Sequence, residues 1–304
     1  MVRTAGRHAG KLGRGPKIRE DKNTAILLID CPDRKGLVAA IADFLYAHGA
    51  NILHADQHQD QDLGLFFMRV EWALDEFDLT PEALGQQFEP IAERLQMRWR
   101  VEYSARRLKT AIFVSGYLHC LIDLLHRHQA GELRCSIPLI VSNHEEAAPL
   151  AHFFGVPFQY TPVTKANRAE AERAQWELLE RNGIDLVVLA RYMQILSPEF
   201  VARYPRRIIN VHHSFLPAFS GAKPYHAAFQ RGVKLIGATG HYVTEILDDG
   251  PIIEQDVARV SHRDQLDDLI EKGRDLERVV LSRAVRWHLE HRILVYGNKT
   301  VVFD

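Results

Sequence analysis

The chain has 304 residues, 46% hydrophobic and 25% charged, which is enough for two domains with cores of their own. A formal net charge of -1 argues against a nucleic-acid or membrane-surface partner, and no apolar run reaches membrane-spanning length. Three cysteines, Cys31, Cys120 and Cys135, show no metal-ligand spacing and fit reduced thiols in a cytoplasmic protein.

Residues 1–22 carry seven Lys or Arg and almost no large apolar groups, so a solvated, disordered basic arm is expected there. From Thr24 the pattern becomes globular. A short apolar strand over 24–30 ends at Cys31-Pro32-Asp33. Helical spacing follows over 36–47, with Leu37, Ile41, Phe44 and Leu45 on one side and Gly49 as its stop. Residues 51–57 and 63–73 read as two strands, Pro81 opens a second helix, and 97–103 reads as a last strand. The order β-α-β-β-α-β is the split ferredoxin-like arrangement. The helix-free face or an edge of such a sheet is expected to meet a second copy, giving a homo-oligomer, dimer or tetramer. A polar linker over 104–109 closes this domain, 23–103, and opens the second, 110–304.

In the second domain strands and helices alternate. Strands are expected at 110–114, 137–142, 184–190, 208–212 and 236–243, with a strand pair near 293–303. Helices are expected at 118–128, 145–154, 170–181 and 266–290. The alternation implies a doubly wound, mainly parallel sheet with helices on both faces. Active sites of such sheets collect at the carboxyl ends of strands.

Asn210 and His212 sit two apart at one such end, so in an extended chain they point to the same side. His213 then points to the other side and reads as structural. An amide, an imidazole and the later carboxylate of Asp248 form a plausible set for chemistry on a carbonyl or formyl group: oxyanion donors with a base or orienter. Asp248-Asp249-Gly250-Pro251 is also good turn chemistry, and Asp249 is assigned to that turn. The pair His126 and His128 lies on a polar helix surface, and no metal site is expected.

Asn210-Val-His212, Leu216-Pro217 and His241 followed by Asp248 before Gly250-Pro251 resemble the signature of the formyltetrahydrofolate-dependent transferase family. The segments 212–225, 232–239 and 250–256 are similar to the deformylase branch of that family. The first domain, with its loop Asp33-Arg-Lys-Gly36-Leu37-Val38, resembles an ACT domain. The resemblance implies Asn210, His212 and Asp248 as catalytic residues. It implies folate binding by Arg191, Met193, Gln194, Leu196 and His241, with Met193 and Leu196 as pocket walls. Ile195 reads as core. An amino-acid effector would sit on Asp33, Gly36 and Leu37, unless Gly36 serves only a close helix approach.

The implied reaction is hydrolysis of 10-formyltetrahydrofolate to tetrahydrofolate and formate, with no cofactor and no metal. It would balance the one-carbon folate pool and supply formate for purine synthesis. Asp248 would position or deprotonate the water, and Asn210 with protonated His212 would stabilise the oxyanion. Two other readings stand beside it. A glycinamide ribonucleotide transformylase would need a Gly-rich phosphate loop, but here that loop reads Ser115-Gly-Tyr-Leu-His-Cys120, with one glycine. An amino-acid-binding regulator on a decayed enzyme fold would need no catalytic set at all.

Overall fold

Along residues 24–32, every second side chain faces a different partner, and both partners are apolar. Ala25, Leu27, Ile29 and Cys31 face two helices, while Ile26 and Leu28 face the opposite way into a separate apolar cluster. This computed structural model describes residues 23–218 and 224–303, so the expected basic arm lies outside the described residues.

The amino-terminal domain runs β1 (Thr24–Pro32), α1 (Leu37–Ala47), β2 (Asn51–Asp60), β3 (Leu65–Ala73), α2 (Pro81–Leu95) and β4 (Arg98–Tyr103). Its sheet is antiparallel, in the order β2-β3-β1-β4, as the ferredoxin-like reading expects. Gly36 precedes α1 at φ 90, a left-handed conformation that only glycine adopts cheaply. A Cβ there would meet nothing within 4 Å, so backbone conformation, not close helix approach, is what requires the glycine.

The second domain begins two residues earlier than expected. Leu108 is buried and starts β5 (Leu108–Val114), which leaves only 104–107 as connection. Then come α3 (His119–Gln129), β6 (Cys135–Ser142), α4 (Ala148–Phe153), β7 (Phe158–Tyr160), α5 (Arg168–Asn182), β8 (Leu186–Ala190), α6 (Pro198–Arg203) and β9 (Ile208–His212). They are followed by α7 (Pro224–Arg231), β10 (Leu235–Tyr242), β11 (Ile252–Arg259), α8 (Leu266–Leu289), β12 (Ile293–Tyr296) and β13 (Lys299–Val302).

Among the described residues the large sheet has the order β11-β10-β9-β8-β5-β6-β7. The strands from β7 to β9 are parallel, while β10 and β11 run antiparallel at one edge. Side chains alternate between two cores. Ile112, Val188, Ile209 and Val211 pack towards α3 and α8, whereas Phe113, Leu189 and Ile208 pack towards α5 and α6. The short β7, α6 and α7, and the edge strand β11, are missing from the sequence reading.

The helix-free face of the first sheet, expected to meet a second copy, is occupied in part by the chain itself. Ile26, Leu28 and Phe67 pack there against Leu294, Tyr296, Val301 and Phe303 of the β12–β13 hairpin.

Candidate active site

The alternation along β9 decides where the polar groups go. Ile209 and Val211 belong to the α8 side, so Asn210 and His212 share the other face. In the antiparallel register with β10, His241 lies directly opposite Asn210, and Thr239 opposite His212. Directly paired residues share a face, so His241 joins the two. Asn210 Nδ2 lies 3.3 Å from His241 Nε2. His241 Nδ1 is 2.9 Å from the Tyr242 carbonyl oxygen, which can only accept, so Nδ1 carries the proton and Nε2 accepts from Asn210. Burial pushes the His241 pKa down, in keeping with that neutral ring. His241 is only 2% exposed; it backs Asn210 and fixes the amide's orientation.

Asp248 comes from the loop that joins β10 to β11. That loop folds back on β10, with Tyr242 N–H donating to the Pro251 carbonyl at 2.9 Å. Gly250 makes the return possible, because a Cβ there would sit 1.7 Å from the Tyr242 carbonyl oxygen. Asp248 itself has φ 56, a conformation Asp tolerates better than most residues. Its Oδ2 lies 3.2 Å from His212 Nδ1, and its Oδ1 3.9 Å from His241 Nε2. Burial opposes ionisation of this carboxyl. The His212 hydrogen bond and the charges of the nearby histidines outweigh it and hold the pKa below the usual carboxylate range.

His212 is 5% exposed, and its Nε2 is buried without a hydrogen-bond partner. A buried polar atom in that condition is uncommon and points to a ligand atom. The His213 ring lies 5.1 Å from that of His212 and 5.9 Å from that of Tyr225, so it stays beside His212 although the two side chains leave an extended backbone in opposite directions.

The segment after β8 holds the other sequence-identified residues, and the structure treats them unequally. Met193 is 49% exposed, and Gln194 is partly exposed. Leu196 instead is buried in the core with Phe113, Tyr192 and Phe200, so it supports the loop from below. Ile195, expected in the core, is 57% exposed. Arg191 has φ 62 and points inward, its Nε 3.4 Å from Glu277 Oε2. The loop is pinned at several points. Ser115 Oγ accepts from Met193 N–H at 3.0 Å, Glu172 accepts from Ser197 N–H at 3.0 Å, and Arg168 donates to the Ile195 carbonyl.

Two features escape sequence reasoning. Ser115 bonds Asn143 and Met193 through its hydroxyl and the Arg191 carbonyl through its N–H, so it is a clamp. Glu277 is a charged residue only 1% exposed, in the middle of α8. It accepts from Tyr225 Oη at 2.7 Å, pairs with His119 Nε2 at 2.7 Å and faces Arg191. Burial raises its pKa, but His119, Arg191 and Tyr225 more than offset this, so the carboxyl stays below its ordinary value. A Glu amid apolar α8 neighbours was a readable signal; its partners, distant in sequence, were not. Glu277, His119 and Cys120 place ligand atoms within 4.8 Å of one another. The Arg191 guanidinium already facing the carboxylate opposes an added cation.

Residues 108–285 match the formyl transferase family and residues 25–84 the ACT domain family. Fold and site thus define an ACT-linked member of the formyl-transfer enzymes. A formyltetrahydrofolate deformylase of Synechocystis sp. is 58% identical over 280 residues, covering 92% of this chain and 98% of that one. One from Bacillus subtilis is 50% identical, covering 94% and 95%. The crystal structure of a formyltetrahydrofolate deformylase from Pseudomonas syringae pv. tomato superposes with a TM-score of 0.91 at 47% identity, covering 94% and 96%. The chain belongs to the formyltetrahydrofolate deformylase family.

Proposed function

We infer that the chain hydrolyses 10-formyltetrahydrofolate to tetrahydrofolate and formate. The observation that carries the chemistry is the buried His212 ring, tied through Nδ1 to an ionised Asp248 and presenting an unpartnered Nε2 beside Asn210. Asn210 and His212 lie at the end of β9 and Asp248 on the loop between β10 and β11, and the relatives that match both domains are deformylases. A decayed regulator would have no need to keep this set.

In the proposed reaction Asp248 holds a water and takes its proton as the water oxygen attacks the formyl carbon. The doubly protonated His212 ring donates from Nε2 to the oxyanion, and the Asn210 amide, oriented by His241, donates beside it. Collapse of the tetrahedral intermediate breaks the bond to N10, and that nitrogen takes up the proton. Arg191, Met193 and Gln194 form the folate side, with Leu196 as support. The side chains suffice for this sequence, and we propose no cofactor, a cytoplasmic location and formate supply to purine synthesis as its purpose. The ACT domain is the place for a small amino-acid effector on Asp33, Gly36 and Leu37, in a homo-oligomer.

The test is formate release from 10-formyltetrahydrofolate, with and without glycinamide ribonucleotide. Release without the amine is the expected result. Turnover only with the amine would make the enzyme a transformylase.

A further inference from the structure

The β12–β13 hairpin touches both the first domain and the loop that carries Asp248. On one side, the Tyr296 ring packs against Phe67 of β3 with centroids 4.5 Å apart, and its hydroxyl donates to Asp60 at 3.2 Å. Lys299 Nζ lies 3.8 Å from the same carboxylate. Arginines of the first sheet grip the backbone that leads into the hairpin: Arg69 Nε donates to the His291 carbonyl at 3.1 Å, and Arg100 Nη2 to the Ile293 carbonyl at 3.2 Å. On the other side, Asn298 Nδ2 donates to the Asp249 carbonyl at 2.8 Å, and Thr300 Oγ1 to the Ile252 carbonyl at 2.6 Å. These two acceptors bracket the return of the catalytic loop, one residue after Asp248 and one residue after Pro251.

We propose that the β12–β13 hairpin is the positioning element of the catalytic loop, with Asn298 and Thr300 setting where Asp248 meets His212 and the first sheet setting where the hairpin lies. The inference rests on the catalytic assignment of Asp248. The loop between β10 and β11 carries Asp248 in an αL conformation, and its own bonds, Thr244 Oγ1 and Asp249 N–H to the Ile246 carbonyl, lie before the Asp249–Ile252 return. Tyr242 fixes one strand of the return through the Pro251 carbonyl. The two hairpin donors fix it at the Asp249 and Ile252 carbonyls. Asn298 and Thr300 touch no reacting atom and act through the backbone of residues 249 and 252. The arrangement gives the first domain a direct mechanical line to the catalytic carboxylate, some 190 positions away in the chain from Asp60.

The full-length double variant Asn298→Ala/Thr300→Val removes both donors with little change of bulk at Thr300. Its kcat should fall about tenfold while KM for 10-formyltetrahydrofolate stays within about twofold, the pattern of a displaced catalytic group with substrate binding intact. A looser His212 contact lets the Asp248 carboxyl rise towards its ordinary value, so the acid limb of the kcat profile should move to higher pH. Tyr296→Phe, which removes one of the two links to Asp60, should give a smaller loss that disappears on the double-variant background, because both act through one element. Asn298→Asp, similar in shape but unable to donate, gives the same reading if the double variant does not fold. Unchanged kcat and an unmoved acid limb in folded variants would overturn the proposal, and so would a Tyr296→Phe loss that adds fully to that of the double variant. Asp248→Asn, run in parallel, separates the two ideas: if it alone remains fully active, the catalytic assignment has failed and not the hairpin's role.

Discussion

The proposed catalytic set is three side chains that need one another. Asp248 is ionised because the His212 hydrogen bond and charge outweigh its burial, and His212 has a fixed ring because Asp248 holds Nδ1. Asn210 has a fixed amide because His241 accepts from it. Asp248→Asn keeps the size and removes the charge. Its kcat should fall by about a hundredfold or more, the scale of a lost general base, while folate binding through the loop after β8 survives. Asn210→Ala should lose on the order of a hundredfold through its oxyanion donor. The Asn210→Ala/Asp248→Asn pair should lose much less than the product of the single losses, since the groups act as a unit. Steady-state kinetics on the three variants checks this, and a fully active Asp248→Asn enzyme would reduce Asp248 to a turn residue.

At the scale of elements, long strands and helices were readable because burial on both faces leaves continuous apolar runs such as Leu186–Ala190. The short pieces were not. β7 has three residues, and α6 was passed over although Ser197 caps it by accepting from Phe200 N–H at 3.1 Å. The candidate site was legible because Asn210, His212, His241 and Asp248 fall in two short segments that the fold brings together. What sequence could not show is how α8 ties the site together from behind. Leu196 and Ile195 illustrate the same limit: adjacent apolar residues in a loop take opposite environments, and only the packing beneath decides which. Glu277 is the sharpest case. Glu277→Gln would leave Arg191 and His119 facing an uncharged amide in a buried setting, where losing one partner of such a pair typically costs about 3–5 kcal/mol. Urea unfolding should show a loss of that order, with a raised KM because the Arg191 loop is released. A loss under about 1 kcal/mol would mean that His119 and Arg191 find other partners.

For the whole molecule, the joint between the domains is electrostatically sensitive to acid. His288 lies behind the large sheet with Nδ1 2.8 Å from Tyr242 Oη; burial first, then the charges of His291 and Arg100, push its pKa from 6.5 to about 3. His291 sits where the two domains meet, and burial first, then Arg100, Arg69 and Arg106, lower it from 6.5 to about 4. Both rings are neutral in the folded protein at pH values where the unfolded chain would protonate them. The unfolded state therefore binds more protons between about pH 6.5 and 4, and stability must fall as pH drops through that window. Below it the sign stays the same for a different reason: Asp248 and Glu277 have pKa values held below the ordinary 3.8 and 4.5, and their contribution is lost as they protonate. Chemical unfolding at several pH values should show a slope from the two histidines of about two protons in the upper window. His291→Asn should remove about one of them. It should also preserve activity at pH 7.5, because His291 contacts the domain joint and not the site. If acid weakens the joint before the catalytic fold, kcat should decline ahead of global unfolding in the native enzyme but track it in His291→Asn. A slope unchanged by that substitution would show that His291 takes up its proton without opening the joint.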